Sequence, residues 1–362
     1  MKKKVHWGYL GSLGISVLLA FAIGAAILAV AGFSPLEAYA AMVSGAFSNA
    51  RHIGDFLEYA MVLCLTGLAC VLGSRVGIFN VGGEGQLLLG AIVGCQTGVW
   101  LNGGPAWLVI PAAALAAMAA GALYALIPGW LKVKVKVNEV ITTIMLNTIA
   151  ASLCQYLAKG PWKHPNKNMV AATAQLDARY WFSRLIPNSN LSTAIIAAAV
   201  VTFLTWYIMQ KTSVGYEMKL TGQNPRFAFF SGIKTDKIVI ACMCVSGAMC
   251  GLVGMFRVYG AEHLYRSSVS NQYYFEGLTV AMIARYDPVT VIGLSFFFAI
   301  LKIGAQGMEL SAGVPNQIYL IIQTVIIFCM AAESGVFASL RAGAQRKKAR
   351  ADIRRKEEES HV

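Results

Sequence analysis

The chain has 362 residues, of which 57% are apolar and only 13% are charged, and its formal net charge is +13. A soluble domain carries about 25% charged residues, so this composition excludes an ordinary soluble protein and indicates a protein that lies in lipid. The basic residues fall between or beyond long apolar runs rather than on one contiguous face, which argues against a nucleic-acid-binding surface.

The apolar runs recur at the length of a membrane-spanning helix. About 20 apolar residues cross a bilayer core, and backbone groups in lipid must bond within the segment. The runs are apolar on every face, which argues against the alternating strands of a barrel. We predict an all-α integral membrane protein with about ten transmembrane helices, near residues 9–32, 57–73, 79–101, 106–128, 138–158, 191–210, 238–257, 272–286, 289–306 and 315–333. The run at 272–286 falls short of the usual length and is compatible with a re-entrant or broken helix.

The first run follows three lysines and imitates a signal peptide. Its apolar stretch, from Tyr9 to Phe33, exceeds the ~7–15 residues of a signal-peptide core, so we predict an uncleaved first span. Short cytoplasmic loops carry an excess of Lys and Arg, and ten spans with a cytoplasmic N-terminus place most basic residues on the inner side. We therefore predict that both termini are cytoplasmic, with one transmembrane domain over residues 1–340 and a basic tail over 341–362.

Several kinds of site are not supported by the sequence. It contains no Walker A pattern, no H-E-x-x-H motif, and no clustered histidines, so we predict no cofactor, metal or catalytic residue in this chain. The eight cysteines lie in apolar runs without C-x-x-C pairs, and we interpret them as buried packing residues.

The first motif of functional interest is Gly77-Ile-Phe-Asn-Val-Gly-Gly-Glu-Gly-Gln86, immediately before an apolar run. An acidic residue so near the membrane is costly and tends to be functional or paired. Asn80, Glu84 and Gln86 are therefore candidates for the solute pathway. The alternative, which we favour, is that Asn80 caps a helix and Glu84 faces its positive dipole end.

A weaker echo of this motif lies in the second half, where Glu276 and Gly277 open an apolar helix after Asn271. In the predicted topology the first copy starts from the inside and the second from the outside. That relation is typical of inverted repeats whose broken helices meet near the bilayer midplane, and we predict two such halves.

The longest internal loop on the inner side, 211–237, contains a short predicted helix. Asn224 followed by Pro225 is a helix start and Gly232 is a stop. The helix would display Phe227, Phe229 and Phe230 outside any span, which favours docking into a partner's groove. The alternative is that these rings lie in the membrane interface.

This loop, read as Gly222-x-Asn224-Pro225-x-x-Ala228-x-x-x-Gly232-Ile233, resembles the coupling-helix loop of bacterial ATP-binding-cassette (ABC) importer permeases of the ribose, nucleoside and branched-chain amino-acid group. The stretches 77–86 and 138–147 resemble the nucleoside branch, which handles guanosine and other purine nucleosides. The likeness covers essentially the whole chain, in order.

The resemblance implies a non-catalytic permease subunit in the bacterial plasma membrane. Its implied partners are ABC ATPases that bind ATP and Mg²⁺, a second permease chain (the same or a related one) and an external binding protein or lipoprotein. It implies that the ATPase contacts lie at Gly222, Asn224, Pro225, Arg226, Phe227, Ala228, Phe230, Gly232 and Ile233. It also places Glu84, Asn147 and Glu276 near the pathway.

Two other functions remain open at this stage. A secondary transporter driven by an ion gradient would use Glu84 and Glu276 as cation or proton sites and would need no ATPase. An ABC permease for a sugar or an amino acid is the second alternative, since the residues that would stack a base cannot be told from helix packing.

Overall fold

A computed structural model describes residues 7–166, 171–315, 317–318, 320–325 and 327–328. Over these residues the regular structure is helical, and strand-like pairing is confined to isolated bridges such as the one between Lys163 and Thr173. The predicted all-α class is confirmed for this part of the chain. The α-helices are α1 Trp7–Val30, α2 Pro35–Phe47, α3 Ala50–Arg75, α4 Gly83–Trp100, α5 Ala106–Trp130, α6 Glu139–Lys159, α7 Ala194–Lys211, α8 Ser213–Gln223, α9 Pro225–Phe230, α10 Thr235–Arg257, α11 Tyr273–Ile283 and α12 Pro288–Ala312. Short π-helical turns extend α5 through Leu131–Val135 and α10 through Val258–Glu262.

Six helices in the described residues are long and apolar enough to cross a membrane: α3, α5, α6, α7, α10 and α12. The pair α1 and α2, bent by 118°, would make a seventh if it forms one span. The chain is therefore a multi-pass membrane protein, and the larger number of ten crossings stays a prediction. Of the predicted last span, residues 317–318, 320–325 and 327–328 are helical, and 329–333 lie outside the described residues, as does the tail 341–362.

Two predicted spans are shorter as helices than the sequence indicates. Within 79–101, the helix α4 begins only at Gly83, because residues 76–82 form an irregular, non-helical segment. Within 272–286, α11 has 11 residues. At 1.5 Å per residue such a helix covers roughly half of a ~30 Å bilayer core, so it is not a complete span by itself.

The chain divides into two compact units, Met1–Gly45 with Gly304–Val362, and Ala46–Ile303. In the described part of the first unit, helices approach each other through small residues. A Cβ at Gly45 would lie 2.7 Å from the Cα of Gly307, and the hydroxyl of Tyr39 donates to the carbonyl of Phe21 at 2.7 Å.

The second unit is built around α3 and α10, which are buried along most of their lengths. Glycines let α10 approach its neighbours closely. A Cβ at Gly90 of α4 would lie 2.2 Å from the Cα of Gly251, and one at Gly121 of α5 would lie 2.1 Å from the carbonyl oxygen of Gly247. In contrast, α6 and α7 expose large apolar side chains such as Met145 and Phe203, as lipid-facing helices do.

Candidate functional site

The start of α4 is a buried polar turn organised by Asn80. Its Oδ1 accepts a hydrogen bond from the backbone N–H of Gly82 at 3.0 Å, and its Nδ2 donates to Gln86 Oε1 at 3.2 Å and to Ser246 Oγ at 2.9 Å. The prediction that Asn80 is the helix cap is wrong, because Gly82 occupies the cap position and has no side chain to offer. Asn80 instead stabilises the turn that leads into the helix.

Glu84 links this turn to the start of α11. Its Oε2 accepts from the backbone N–H of Tyr274 at 3.3 Å, and the Tyr274 hydroxyl donates in return to the backbone carbonyl of Asn80. The first N–H groups of a helix lack partners within the helix and carry its positive dipole end. Glu84 therefore stabilises the beginning of a second helix, in addition to lying in the first turn of its own.

Asn147, on α6, closes the third side of this turn. Its Oδ1 accepts from the N–H of Gly85 at 2.9 Å, and its Nδ2 donates to the carbonyl of Val81 at 2.9 Å. We call Asn80, Glu84, Asn147 and Tyr274 the helix junction. Three predicted pathway residues, Asn80, Glu84 and Asn147, thus meet in one place, and Gln86 lies beside them.

Glu276 lies elsewhere. Its Oε1 is 2.6 Å from the Nζ of Lys302 on α12, so its ion-pair partner differs from the partners of the helix junction. The two sequence motifs therefore meet through Glu84 and Tyr274, but the two glutamates have different partners. Their similarity in sequence does not extend to the same hydrogen bonds.

Of a group of paired charges, only Glu276 was predicted from the sequence. Arg257 of α10 places Nη1 2.5 Å from Glu58 Oε1 and Nη2 3.4 Å from Glu262 Oε1. We call Glu58, Arg257, Glu262, Glu276 and Lys302 the charged cluster. The available signal was the presence of ionisable residues inside apolar helices, which points to a partner or a function.

Two tyrosines connect the halves of the charged cluster. Arg257 lies over the ring of Tyr273 at 5.0 Å from its centroid, and Lys302 Nζ lies over the ring of Tyr59 at 5.4 Å. The two rings meet edge to face with their centroids 5.7 Å apart. The cations are thus stabilised both by carboxylates and by aromatic faces.

The predicted inner helix is confirmed as α9, Pro225–Phe230. Asn224 caps it by accepting the N–H of Phe227 at 3.0 Å, and Pro225 occupies the first helical position. The C-terminus is a Schellman motif, in which Gly232 has a φ of +83° and the N–H of Ile233 donates to the carbonyl of Ala228 at 3.1 Å.

The surface of α9 is aromatic. Phe227, Phe229 and Phe230 are 55%, 65% and 85% exposed, whereas Ala228 is fully buried and Arg226 is exposed. Gly222, just before this helix, lies against the chain that follows α3, since a Cβ there would lie 2.2 Å from the carbonyl oxygen of Arg75. The N-terminal end of α9 is therefore packed against the protein, and its three phenylalanine rings are exposed.

The loop between α6 and α7 packs, through its described residues, against the segment that follows α10. We call it the outer loop, because the predicted topology places it on the outer side of the membrane. The N–H groups of Thr173 and Leu176 donate to the carbonyls of Tyr265 and His263, and the rings of Trp181 and His263 stack at 3.8 Å. Burial, together with the nearby guanidinium of Arg184, lowers the pKa of His263. This loop is therefore an ordered surface rather than a plain connection.

Over the described residues, no three His, Cys, Asp or Glu side chains are placed to hold a metal ion. The described cysteines are free and mostly buried. A cavity of about 460 Å³ between α3, α7 and α12 has almost wholly apolar walls, including Leu57, Phe203 and Phe296, and offers a polar solute few hydrogen bonds.

Comparison with known proteins gives consistent relatives. The chain is 32% identical over 328 residues to the guanosine ABC transporter permease protein of Bacillus subtilis, covering 89% of this chain and 93% of that protein. It is 31% identical over 330 residues to the glucose ABC transporter permease protein of Haloferax volcanii, covering 89% and 87%. It is 30% identical over 326 residues to the nucleoside ABC transporter permease protein of Lactococcus lactis, covering 88% and 89%.

No solved structure matches the chain. The family model for the permease component of branched-chain amino acid transport systems matches residues 52–331. That range holds α4 to α12 and all but the first two residues of α3, and therefore the helix junction, the charged cluster and α9. The chain belongs to this family of transport-system permease components.

Proposed function

We propose that this chain is the permease subunit of an ABC importer and forms the translocation pathway for a nucleoside or a similar small polar solute. The observation that carries the proposal is α9, a short helix capped at both ends whose three exposed phenylalanines lie outside any span. The relatives of the whole chain described above are ABC transporter permeases for guanosine, nucleosides and glucose. A nucleoside is the solute named by two of these three relatives.

In this proposal α9 is the contact with a separate ATPase. An exposed aromatic cluster on a rigid element is a typical anchor for a partner's groove. The contact residues are the nine from Gly222 to Ile233 given above, of which Phe227 and Phe230 insert and Ala228 holds α9 against its own chain. ATP and Mg²⁺ are bound by the ATPase, and this chain performs no chemistry.

Movement of α9 would reach the solute pathway through α10. The chain leaves α9 at Gly232 and enters α10 within a few residues. Because α10 packs on α4 and α5 through glycines, a shift of α10 moves them together. Alternating access requires two discrete packings of this kind.

We further propose two inverted halves and ten crossings, with α4 and α11 as broken helices. Each half has a long buried helix, an irregular segment and a shorter helix, namely α3 with α4 and α10 with α11. The pairing across the halves supports this: Gly277 of α11 lies against Gly67 of α3, and Gly251 of α10 against Gly90 of α4. Both termini and α9 are then cytoplasmic, in a bacterial plasma membrane, with 1–340 as the permease domain and 341–362 as a basic tail.

The complete importer would hold two permease chains, identical or related, two ATPases and an external binding protein or lipoprotein. The outer loop ordered by Trp181 and His263 is available for the binding protein. Glu84, Asn80, Gln86 and Asn147 support the pathway from the helix junction, and Glu276 contributes a charged group.

The test is solute-stimulated ATP hydrolysis by the assembled complex. Replacing Phe227 and Phe230 by Ala should lower the stimulation about tenfold or more, because hot-spot aromatic residues each contribute over 2 kcal/mol to an interface. Phe203→Ala is the matched control, since Phe203 is 58% exposed and Phe227 is 55% exposed, but Phe203 lies on α7. Equal stimulation in all variants contradicts docking through α9.

The alternative is a secondary transporter with Glu84 and Glu276 as ion sites. Both carboxylates have protein partners, Tyr274 for Glu84 and Lys302 for Glu276. Solute uptake by the isolated chain in proteoliposomes without ATP would favour this alternative over the ABC importer.

A further inference from the structure

The charged cluster joins four helices of the larger unit, α3, α10, α11 and α12. It holds three carboxylates, on Glu58, Glu262 and Glu276, and two cations, so one formal negative charge is in excess. Ionisable residues on membrane helices are costly and face a partner, a protein interior or a water-filled cavity. Arg257 is paired with two of these carboxylates, Glu58 and Glu262.

Three buried polar atoms of this region have no hydrogen-bond partner within the described part of the chain: the Tyr59 hydroxyl, Arg257 Nε and Glu276 Oε2. Tyr59 is only 4% exposed. A buried polar group without a partner costs free energy, so these atoms are available to a bound group that supplies the missing bond.

Tyr59 and Glu276 flank a single ammonium group. Lys302 Nζ is 2.6 Å from Glu276 Oε1 and 5.4 Å from the centre of the Tyr59 ring. The ion pair leaves Oε2 of the same carboxylate as an acceptor, and the phenol can both donate and accept. Both groups lie around the same ammonium group and suit the hydrogen-bonding capacity of hydroxyl groups.

The two oxygens are buried, but the ion pair beside them reaches the surface of the chain at one edge. The side chains of Glu276 and Lys302 are 16% and 21% exposed, and Phe275 beside them is 37% exposed. Charged groups that are partly exposed on membrane helices are not compatible with lipid contact. We therefore expect this edge to face water rather than lipid, with the exposed ring of Phe275 one residue away from Glu276 along the chain.

The solutes named for the relatives share one chemical feature. Guanosine, other ribonucleosides and glucose all carry hydroxyl groups on adjacent carbons, and each hydroxyl both donates and accepts a hydrogen bond. Resting on the proposed function, we propose that Glu276 and Tyr59 bind the vicinal hydroxyls of the transported solute, and that Lys302 positions the Glu276 carboxylate.

The test compares uptake of guanosine with uptake of 2′,3′-dideoxyguanosine by the complete transporter in proteoliposomes. Glu276→Gln and Tyr59→Phe should each lower guanosine uptake about tenfold, as expected for a lost hydrogen bond, and change dideoxyguanosine uptake less than about twofold. The preference for guanosine should fall accordingly. The same binding protein is used throughout, so a changed ratio reports this chain, and the ratio does not depend on how much variant folds.

Two control variants match these changes. Glu139→Gln removes a carboxylate from an ion pair with Lys132 of the same 2.6 Å length, and Tyr156→Phe removes the hydroxyl of a tyrosine that is 68% exposed. Both should keep the wild-type ratio. Wild-type guanosine uptake with an unchanged ratio in Glu276→Gln and Tyr59→Phe overturns the inference alone. A wild-type complex that takes up neither guanosine nor glucose overturns the proposed substrate class and this inference with it.

Discussion

At the helix junction, single side chains satisfy the backbone groups of distant segments. Asn147 bonds both Val81 and Gly85, and Glu84 bonds the first turn of α11. The hydrogen-bonding capacity of these side chains is thus largely used within the chain, so we expect their substitution to lower stability more than it alters solute preference.

Tyr274→Phe tests this expectation. The change deletes the hydroxyl that donates to the carbonyl of Asn80 and leaves that carbonyl short of a partner. The variant should lose about 1–3 kcal/mol of stability, measured as a lower thermal unfolding midpoint of the purified chain in detergent. Tyr156→Phe, at an exposed tyrosine, should unfold like the wild type. If Tyr274→Phe and Tyr156→Phe unfold at the same midpoint, the junction has no stabilising role.

Among the helices, α10 depends on the absence of side chains where it crosses α4 and α5. A Cβ at Gly251 would lie 2.2 Å from the carbonyl oxygen of Ala117. Helix backbone cannot move aside as a side chain can, so the contact is rigid. The glycines of α10 at these crossings are therefore requirements of close packing, whereas a Cβ added at Gly293 of α12 meets no atom within 4 Å.

Gly251→Ala and Gly293→Ala should have opposite effects. The first forces α10 and α5 apart and should cost about 1–3 kcal/mol or more. The second lies within α12, where a Cβ meets no atom within 4 Å, and should stabilise the helix by about 0.5–1 kcal/mol. Unfolding midpoints of the two purified variants provide the comparison. If the unfolding midpoints of both variants rise, or both fall, the crossing of α10 with α5 at Gly251 does not limit stability.

For the whole molecule, the proposed orientation places α9 and the outer loop on opposite sides of the membrane. Ser231 follows α9 and Ser183 lies in the outer loop, and both are exposed. In intact cells a membrane-impermeant thiol reagent should label Ser183→Cys, and it should label Ser231→Cys only after permeabilisation. The native chain is the control, because its described cysteines are mostly buried. Labelling of Ser231→Cys in intact cells would contradict the proposed orientation and place α9 on the outer side of the membrane.

Local features of the molecule followed from the sequence, whereas those formed by distant residues did not. The limits of α9 were predictable because Asn224, Pro225 and Gly232 start and stop a helix through contacts with residues next to them in the chain. The contact between Arg257 and Glu58 joins positions 199 residues apart, and no local pattern pairs them. The cap of α4 was predicted wrongly: Asn80 lies in the turn before the helix, where it bonds Ser246 on α10, and Gly82 occupies the cap position.

The bond between Glu84 and Tyr274 also sets an order of events during synthesis. Its two ends are 190 residues apart, so at 5–20 residues per second the first waits roughly 10–40 s for the second to be made. Throughout that interval a carboxylate at the start of α4 is in or near the bilayer without its final partner. We therefore expect this end of α4 to stay hydrated in the nascent chain until α11 has been made.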